Sequence, residues 1–328
     1  MKLNDIVTDI ALKIAARASE IEGAADAKEE GLDPGPFGIA IASPDGGVFT
    51  AGCADTSFPI QSIGKIFALE LAMEAIGDKV FERVGREPSG DPFNSIIDLE
   101  RNNGVPRNPF VNAGALAVVD VLLDRPGHAR CKSVVSFVTD QLGRAPILDD
   151  DVLASEHEGG DLNRAMLNFM RHHGNLRCDP DEVLDAYVDQ CAISLNCADL
   201  ARAGLFLTRT RLTHDDEEAS ERAARVRKLL ALMMTCGHYD GSGDFALRVG
   251  LPAKSGVGGG ILAIVPEVAS VAVWSSNLDQ HGNSMLGVRA LEMLASRTGW
   301  SVFGPPLDPS DRPRSHDVEH RGGADERG

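Results

Sequence analysis

A chain of 328 residues with 43% hydrophobic content can bury a substantial core, as one large domain or two closely joined ones, and is not disordered over most of its length. Its 49 acidic against 32 basic side chains give a formal charge of −17, which repels phosphate backbones and anionic lipid, so neither nucleic acid nor a membrane is an expected partner. The opening MKLNDIVTDIALKIAARAS carries Asp5 and Asp9 where an export signal needs an uncharged apolar run, and no window approaches the roughly 18 apolar residues of a membrane span, so a soluble cytoplasmic protein is expected.

In chain order, residues 1–22 read as an amphipathic helix with Ile6, Ile10, Leu12, Ile14 and Ile21 on its apolar face. FGIAIASPDGGVFTAG alternates small and branched apolar residues on both sides of Pro44-Asp45-Gly46-Gly47 and predicts a β-hairpin. From Ser62 to about residue 235 the spacing is helical, in segments such as IFALELAMEAIG, NAGALAVVDVLLD and DEVLDAYVDQCA. Strand signals return only at ILAIVP and SVAVWSSN, ahead of a last helix, NSMLGVRALEMLASRTG.

Strands at both ends of the sequence predict an α/β fold of the α+β kind within 1–304. An antiparallel sheet forms from the terminal segments, about 1–61 and 240–304, flanked by the terminal helices. A helical subdomain, about 62–239, stands beside it, with the cleft between them. Residues 305–328 hold no apolar run and are expected to be a disordered, solvated tail. The six cysteines form no C-x-x-C pair and have no histidine at zinc-ligand spacing, so they are expected to be reduced, buried packing residues.

The chemistry starts at PIQSIGKIF, where Ser62 precedes Lys65 by three residues at the start of a helical run. That spacing sets the two side chains on one face, a hydroxyl beside a candidate base. A lysine serves as a base only if burial or a second cation lowers its pKa, and Lys254, in PAKSGVGGGILAIV, supplies the second cation. Ser255, Gly256 and the glycines at 258–260 make a small-residue floor whose N–H groups, with that of Ser62, are candidate oxyanion donors. An S-x-x-K helix start followed by a K-[ST]-G strand is the signature of the serine β-lactamase and transpeptidase superfamily. Ser194-Leu195-Asn196 imitates that superfamily's middle S-x-N box, but Asp199 follows Asn196 by three, so a helix N-cap is the simpler account and Phe110-Val111-Asn112 the better counterpart. His172 and His173 sit at a helix end, and His238 has no evident second ligand, so no metal site follows.

FPIQSIGKIF, RNPFVNAGALAV, SEHEGGDLNRAM, YVDQCAISLNCADLARAG, TCGHYDGSGDFALRVGLPAKSGVGGGILAIVP and AVWSSNLDQHGNS resemble successive blocks of the bacterial serine-dependent glutaminases, from about Phe37 to Phe303. The resemblance implies a β-lactamase-like fold and hydrolysis of L-glutamine to L-glutamate and ammonia without a cofactor. It implies a nucleophile at Ser62, its base at Lys65, and a proton-relaying phenol at Tyr239. It places substrate binding at Asn112, Glu156, Asn163, Tyr187 and Val257, and implies a homo-oligomer, dimer or tetramer. An anionic Glu156 suits the substrate ammonium, and Asn163 and Tyr187 offer donors to its carboxylate. Both tyrosines of the chain, Tyr187 and Tyr239, fall on family positions. Outside the motif match, Asn112 reads equally as a helix cap.

Two positions depart from the family. Its Tyr-Ile-Pro segment ahead of the first hairpin corresponds here to EGAADAKEEGLDPGPF, where no tyrosine occurs and Ala27 or a neighbour takes the place. Its usual serine before the lysine is Gly64, expected to widen the pocket floor or loosen the helix start. Two alternatives stay open: another serine hydrolase of the same fold, and a glutamine-binding protein impaired in turnover by the missing phenol.

Overall fold

The computed structural model describes residues 3–23, 34–90, 94–124, 133–158, 160–213 and 215–305, with the side chains of 156–158 outside that description. Cys131, the segment 24–33 that contains Ala27, and all but the first residue of the expected tail therefore lie outside the described residues.

The hairpin forms as expected. Strands β1 (Phe37–Ala42) and β2 (Val48–Gly52) pair antiparallel with Ala42 opposite Val48, and the Ser43 N–H closes the turn on the Gly47 carbonyl at 2.9 Å. The C-terminal part of the chain adds β6 (Ala253–Ser255), β7 (Gly260–Val265) and β8 (Ala269–Ser275), giving one five-stranded antiparallel sheet in the order β2-β1-β8-β7-β6. Side chains alternate faces along a strand. On β1 the branched Ile39 and Ile41 join Val271 and Val273 of β8 under helices α1 (Leu3–Gly23) and α12 (Met285–Thr298). The small Ala40 and Ala42, with Ala272, turn to the opposite face, where α9 (Cys197–Ala203) packs. Small residues on that face let a helix from the middle of the chain lie close, so the sheet is covered on both sides.

The helical part comprises α2 (Gly64–Ile76), α3 (Ile97–Arg101), α4 (Asn112–Leu123), α5 (Val134–Leu142), α6 (Asp150–Glu158), α7 (Asp161–His172), α8 (Pro180–Ala192) and α10 (Glu217–Cys236). Ten consecutive residues of α2, Gly64 to Met73, are buried, Lys65 and Glu70 among them, so the helix is enclosed on all sides at the centre of the packing. Asn196 caps α9, its Oδ1 accepting from the Asp199 N–H at 2.9 Å, as the sequence predicts.

Four expectations change. Leu12 is 66% exposed while Val7 is fully buried, because the buried stripe of α1 runs through positions 3, 6, 7, 10, 14 and 18. A second sheet, β3 (Phe58–Pro59), β5 (Ile193–Leu195) and β4 (Ile147–Leu148) in the order β3-β5-β4, lies within the stretch read as helical; strands of two or three residues are too short to show a period. A further short helix, α11 (Ser242–Arg248), follows Tyr239. Cys53 is exposed and Cys178 half-buried, leaving Cys191, Cys197 and Cys236 as the buried cysteines among the described residues.

Candidate active site

The second sheet matters because it delivers Ser62. The Ile60 N–H donates to the Ile193 carbonyl at 2.8 Å, fixing the chain end that leads into a single 3-10 turn, Gln61–Ile63, with Gln61 in the left-handed region at φ 48°. This turn runs into α2, with no side-chain cap on either, so Ser62 does not cap its helix. It is 6% exposed, and its hydroxyl lies close enough to the Tyr239 phenol to lower that group's pKa.

Gly64 corrects the expected wider floor. A Cβ at Gly64 would lie 2.9 Å from the Gln190 carbonyl of α8, so the space is filled by a neighbouring helix and belongs to packing. One residue on, Lys65 is 1% exposed, and its ammonium donates to Asn112 Oδ1 at 2.7 Å and to the Phe110 carbonyl at 3.2 Å. Asn112 is the first residue of α4 with Val111 at the cap and no side-chain cap bond, so its amide is spent on the lysine. Asn108 shapes that loop, its Oδ1 accepting from the Phe110 N–H at 2.9 Å and the Val111 N–H at 3.2 Å. This contact escapes sequence reasoning, since an Asn-Pro pair signals a turn without saying what the turn presents.

Asn112 is also the meeting point of the expected substrate residues. The Tyr187 hydroxyl donates to its Oδ1 at 3.4 Å, the Lys65 Nζ lies 5.9 Å from the Tyr187 ring, and the Asn112 amide reaches Asn163 Oδ1 at a long 3.5 Å. Glu156 falls on α6, but its side chain is outside the described residues.

From the sheet side, β6 brings Lys254, fully buried, with its Nζ donating to the Ser255 carbonyl at 2.5 Å and standing 4.4 Å from the Tyr239 ring centre and 6.0 Å from that of Phe110. Burial, and then the charge of Lys65, drives its pKa well below the usual lysine value. Tyr239 opens a 3-10 turn at φ 53° and is held by Ser242, whose hydroxyl donates to the Tyr239 carbonyl at 2.8 Å and accepts from the His238 N–H at 3.0 Å. Its hydroxyl also donates to the Ser255 carbonyl at 3.4 Å. Burial pushes the phenol up to about 12, the Ser62 hydroxyl opposes that, and Cys191 and Asp279 reinforce it. His238 stacks on Phe245 with ring centres 3.7 Å apart, and its burial pushes its pKa well down. No group of three or more metal-ligating side chains occurs among the described residues.

The glycine floor is also corrected. The Gly256 N–H is taken by the Gly260 carbonyl at 3.0 Å and that of Gly259 by the Gly256 carbonyl at 3.0 Å. Cβ atoms at Gly256 and Gly258 would lie 2.4 Å from the Ile60 carbonyl and 2.0 Å from that of Pro59. These glycines admit the chain that carries Ser62 rather than a substrate. Val257 stands out from the turn, 39% exposed. Beside Tyr239, Phe110, Val111, Cys236, Asp240 and His281 contribute to the lining of a cavity of about 300 Å³.

Residues 29–303 match the protein-family model described as Glutaminase. A glutaminase of Rhizobium rhizogenes is 52% identical over 279 residues, covering 83% of this chain and 89% of its own, and a thermolabile glutaminase of Rhizobium etli matches with the same identity and coverage. Among solved structures, a Bacillus glutaminase crystallised in 4.3 M NaCl superposes with a TM-score of 0.78 at 34% identity, covering 89% of this chain and 99% of its own. A covalent complex of a Bacillus subtilis glutaminase with 5-oxo-L-norleucine, formed by 6-diazo-5-oxo-L-norleucine, superposes with a TM-score of 0.74 at 29% identity, covering 90% and 98%.

Proposed function

The chain belongs to the glutaminase family of amidohydrolases, and from that premise we propose that it hydrolyses L-glutamine to L-glutamate and ammonia through an acyl-enzyme on Ser62. The observation that carries this reading is a nearly buried serine, electrostatically coupled to the Tyr239 phenol, in a cleft that also buries two lysines. Lys65 takes the Ser62 proton as Oγ bonds to the carboxamide carbon, with Lys254 supplying the second positive charge in a dry site. Tyr239, whose pKa of about 12 keeps the phenol protonated, passes its proton to the departing nitrogen as the C–N bond breaks. Water then attacks the ester carbon, giving one proton to the Tyr239 phenolate; the bond to Ser62 Oγ breaks, and Lys65 returns its proton to the serine. With the Gly256 and Gly259 N–H groups engaged, the donors left to the carbonyl oxygen in that turn are those of Val257 and Gly258, alongside Ser62 itself.

Asn163 and Tyr187 offer donors to the substrate's α-carboxylate, Asn112 is a further substrate-binding position beside them, and Glu156 is assigned the ammonium. Lys254, Ser255 and Gly256 support the cleft from β6. The reading includes a cytoplasmic homo-oligomer, a dimer or tetramer, supported by family resemblance; light scattering on the purified protein tests it. Among the described residues no helix is long and apolar enough to cross a membrane.

The covalent complex of the Bacillus subtilis relative suggests the direct test. Incubation with 6-diazo-5-oxo-L-norleucine adds one 5-oxo-norleucine mass to a peptide containing Ser62, and wild-type protein releases ammonia from glutamine. Ser62→Ala takes up no label and releases no ammonia, with an unchanged melting temperature. Label on Ser62→Ala, or activity near wild type, removes Ser62 from the role. Glutamine binding by calorimetry without ammonia release from the wild type identifies a binding protein instead.

A further inference from the structure

Tyr239 occupies a left-handed backbone conformation that is unfavourable for a non-glycine residue, so its neighbours must hold it there. Ser242 braces it from its own side. The opposite brace comes from the loop between β8 and α12, residues 277–284, to which the reaction above assigns nothing.

That loop is built around one carboxylate. Asp279 Oδ1 accepts from the His281 N–H at 2.9 Å and the Asn283 N–H at 2.9 Å, while the Asn283 amide lies 3.4 Å from each of its oxygens. The Asp279 N–H donates to the Asn283 carbonyl at 2.8 Å, and the Gly282 N–H to the Asp279 carbonyl at 2.9 Å. Its C-terminal end is anchored, because the Ser284 hydroxyl caps α12 by accepting from the Gly287 N–H at 3.1 Å and pairs with the Ser275 hydroxyl of β8 at 2.6 Å.

The turn runs beside the site, about one methyl group away from it at three places. At φ 88°, Gly282 lies so that a Cβ would be 3.4 Å from Val257 Cγ1 and 3.6 Å from Tyr239 Cε2. A Cβ on Gly241, in the Tyr239 turn, would be 3.4 Å from the Asn283 amide nitrogen. Asn283 is buried, its Oδ1 without a partner among the described residues, so its amide is held in place by Asp279.

We propose that Asp279 is a positioning residue for glutamine hydrolysis: its hydrogen-bonded turn forms the wall beside the Tyr239 ring and Val257 and limits the room in which they can move. The inference rests on the function proposed above, because it needs Tyr239 to act in the reaction. Asn keeps the Oδ1 acceptor at this position, and Ala removes it.

The test is steady-state ammonia release by wild type, Asp279→Asn and Asp279→Ala, with melting temperatures. Asp279→Ala is expected to lose tenfold or more in kcat with KM changed less than threefold, and Asp279→Asn to retain more than half of the wild-type kcat. Equal kcat for Asp279→Ala and wild type, or equal loss in both variants, overturns the proposal. Should Asp279→Ala fail to fold, Gly282→Ala decides, because a φ of 88° is strained for any side chain and alanine there distorts the turn; its kcat is expected to fall likewise, and an unchanged kcat overturns the proposal. A wild type that releases no ammonia contradicts the function instead, so the two failures are distinguishable.

Discussion

Two buried polar clusters in this protein are constructed in opposite ways. In the helical part, Asp120 of α4 is fully buried and answers every contact made to it: the Arg83 guanidinium at 2.6 Å, and the N–H groups of Arg177 and Cys178 at 3.1 and 2.8 Å. Asn175 completes the set, its amide donating to the Arg83 and Gly104 carbonyls at 2.9 Å each and its Oδ1 accepting from Arg83 at 2.6 Å. In the cleft, no carboxylate answers Lys254 among the described residues, and Ser255 Oγ, His238 Nε2 and the Gln190 amide have no partners there. A saturated network holds helices in place; one with unused donors and a second cation is costly to bury and is the kind of environment that shifts pKa values at reacting groups.

The sharpest way to break that comparison is Lys65→Met, which keeps volume and removes the proposed base. Ammonia release is expected to fall about 10² to 10⁴-fold without loss of urea resistance, and a variant with normal turnover would mean that another group takes the proton. Asp120→Ala should do the reverse. It strands the Arg83 charge and is expected to lower unfolding free energy by about 3–5 kcal/mol, while the folded fraction still takes up the norleucine label. A urea midpoint equal to wild type contradicts the structural role.

Glu70, on α2 between the two clusters, is an intermediate case. Arg225 engages only its Oε1, Oε2 is unpartnered, and burial outweighs the arginine to raise the pKa to about 7. Folded protein therefore holds a proton that the unfolded chain has lost between about pH 4.5 and 7. The group's stabilising effect is complete below that window and lost as pH rises through it, on the order of 3 kcal/mol. Glu70→Gln should flatten the fall in urea midpoint between pH 5 and 8; parallel wild-type and variant curves would reject the assignment. The smallest stability effect is expected for Lys254→Met. Exchanging a buried cation that lacks a carboxylate for an apolar side chain should leave the urea midpoint unchanged or raised while ammonia release falls. A clear loss of stability would show that the lysine is structural after all.

Much of the architecture is legible before any coordinates. The hairpin is written in alternating apolar residues around Asp45-Gly46, and α2 in an apolar run too continuous for a surface helix. What escapes is short or indirect: β3, β4 and β5 have no readable period, and Leu12 obeys the helical pattern of α1 only approximately. At the site, Ser62, Lys65, Lys254 and Tyr239 are named by their motifs, and the structure brings them to one cleft. The role of Asn112 is not: as a cap or a lysine partner it looks the same in sequence, and only Lys65, 47 positions away, distinguishes the two.

The sequence by itself determined which reactive side chains the protein has, their order along the chain and the secondary structure that carries most of them, because those depend on residue chemistry and local spacing. Tertiary structure decided which hydrogen-bonding groups are spoken for. It assigned the Gly256 N–H to a turn, the space beside Gly64 to α8, and the phenol of Tyr239 to the Ser255 carbonyl. Such occupancy is set by atoms that meet through space from distant parts of the chain, and no local pattern records who arrives there first.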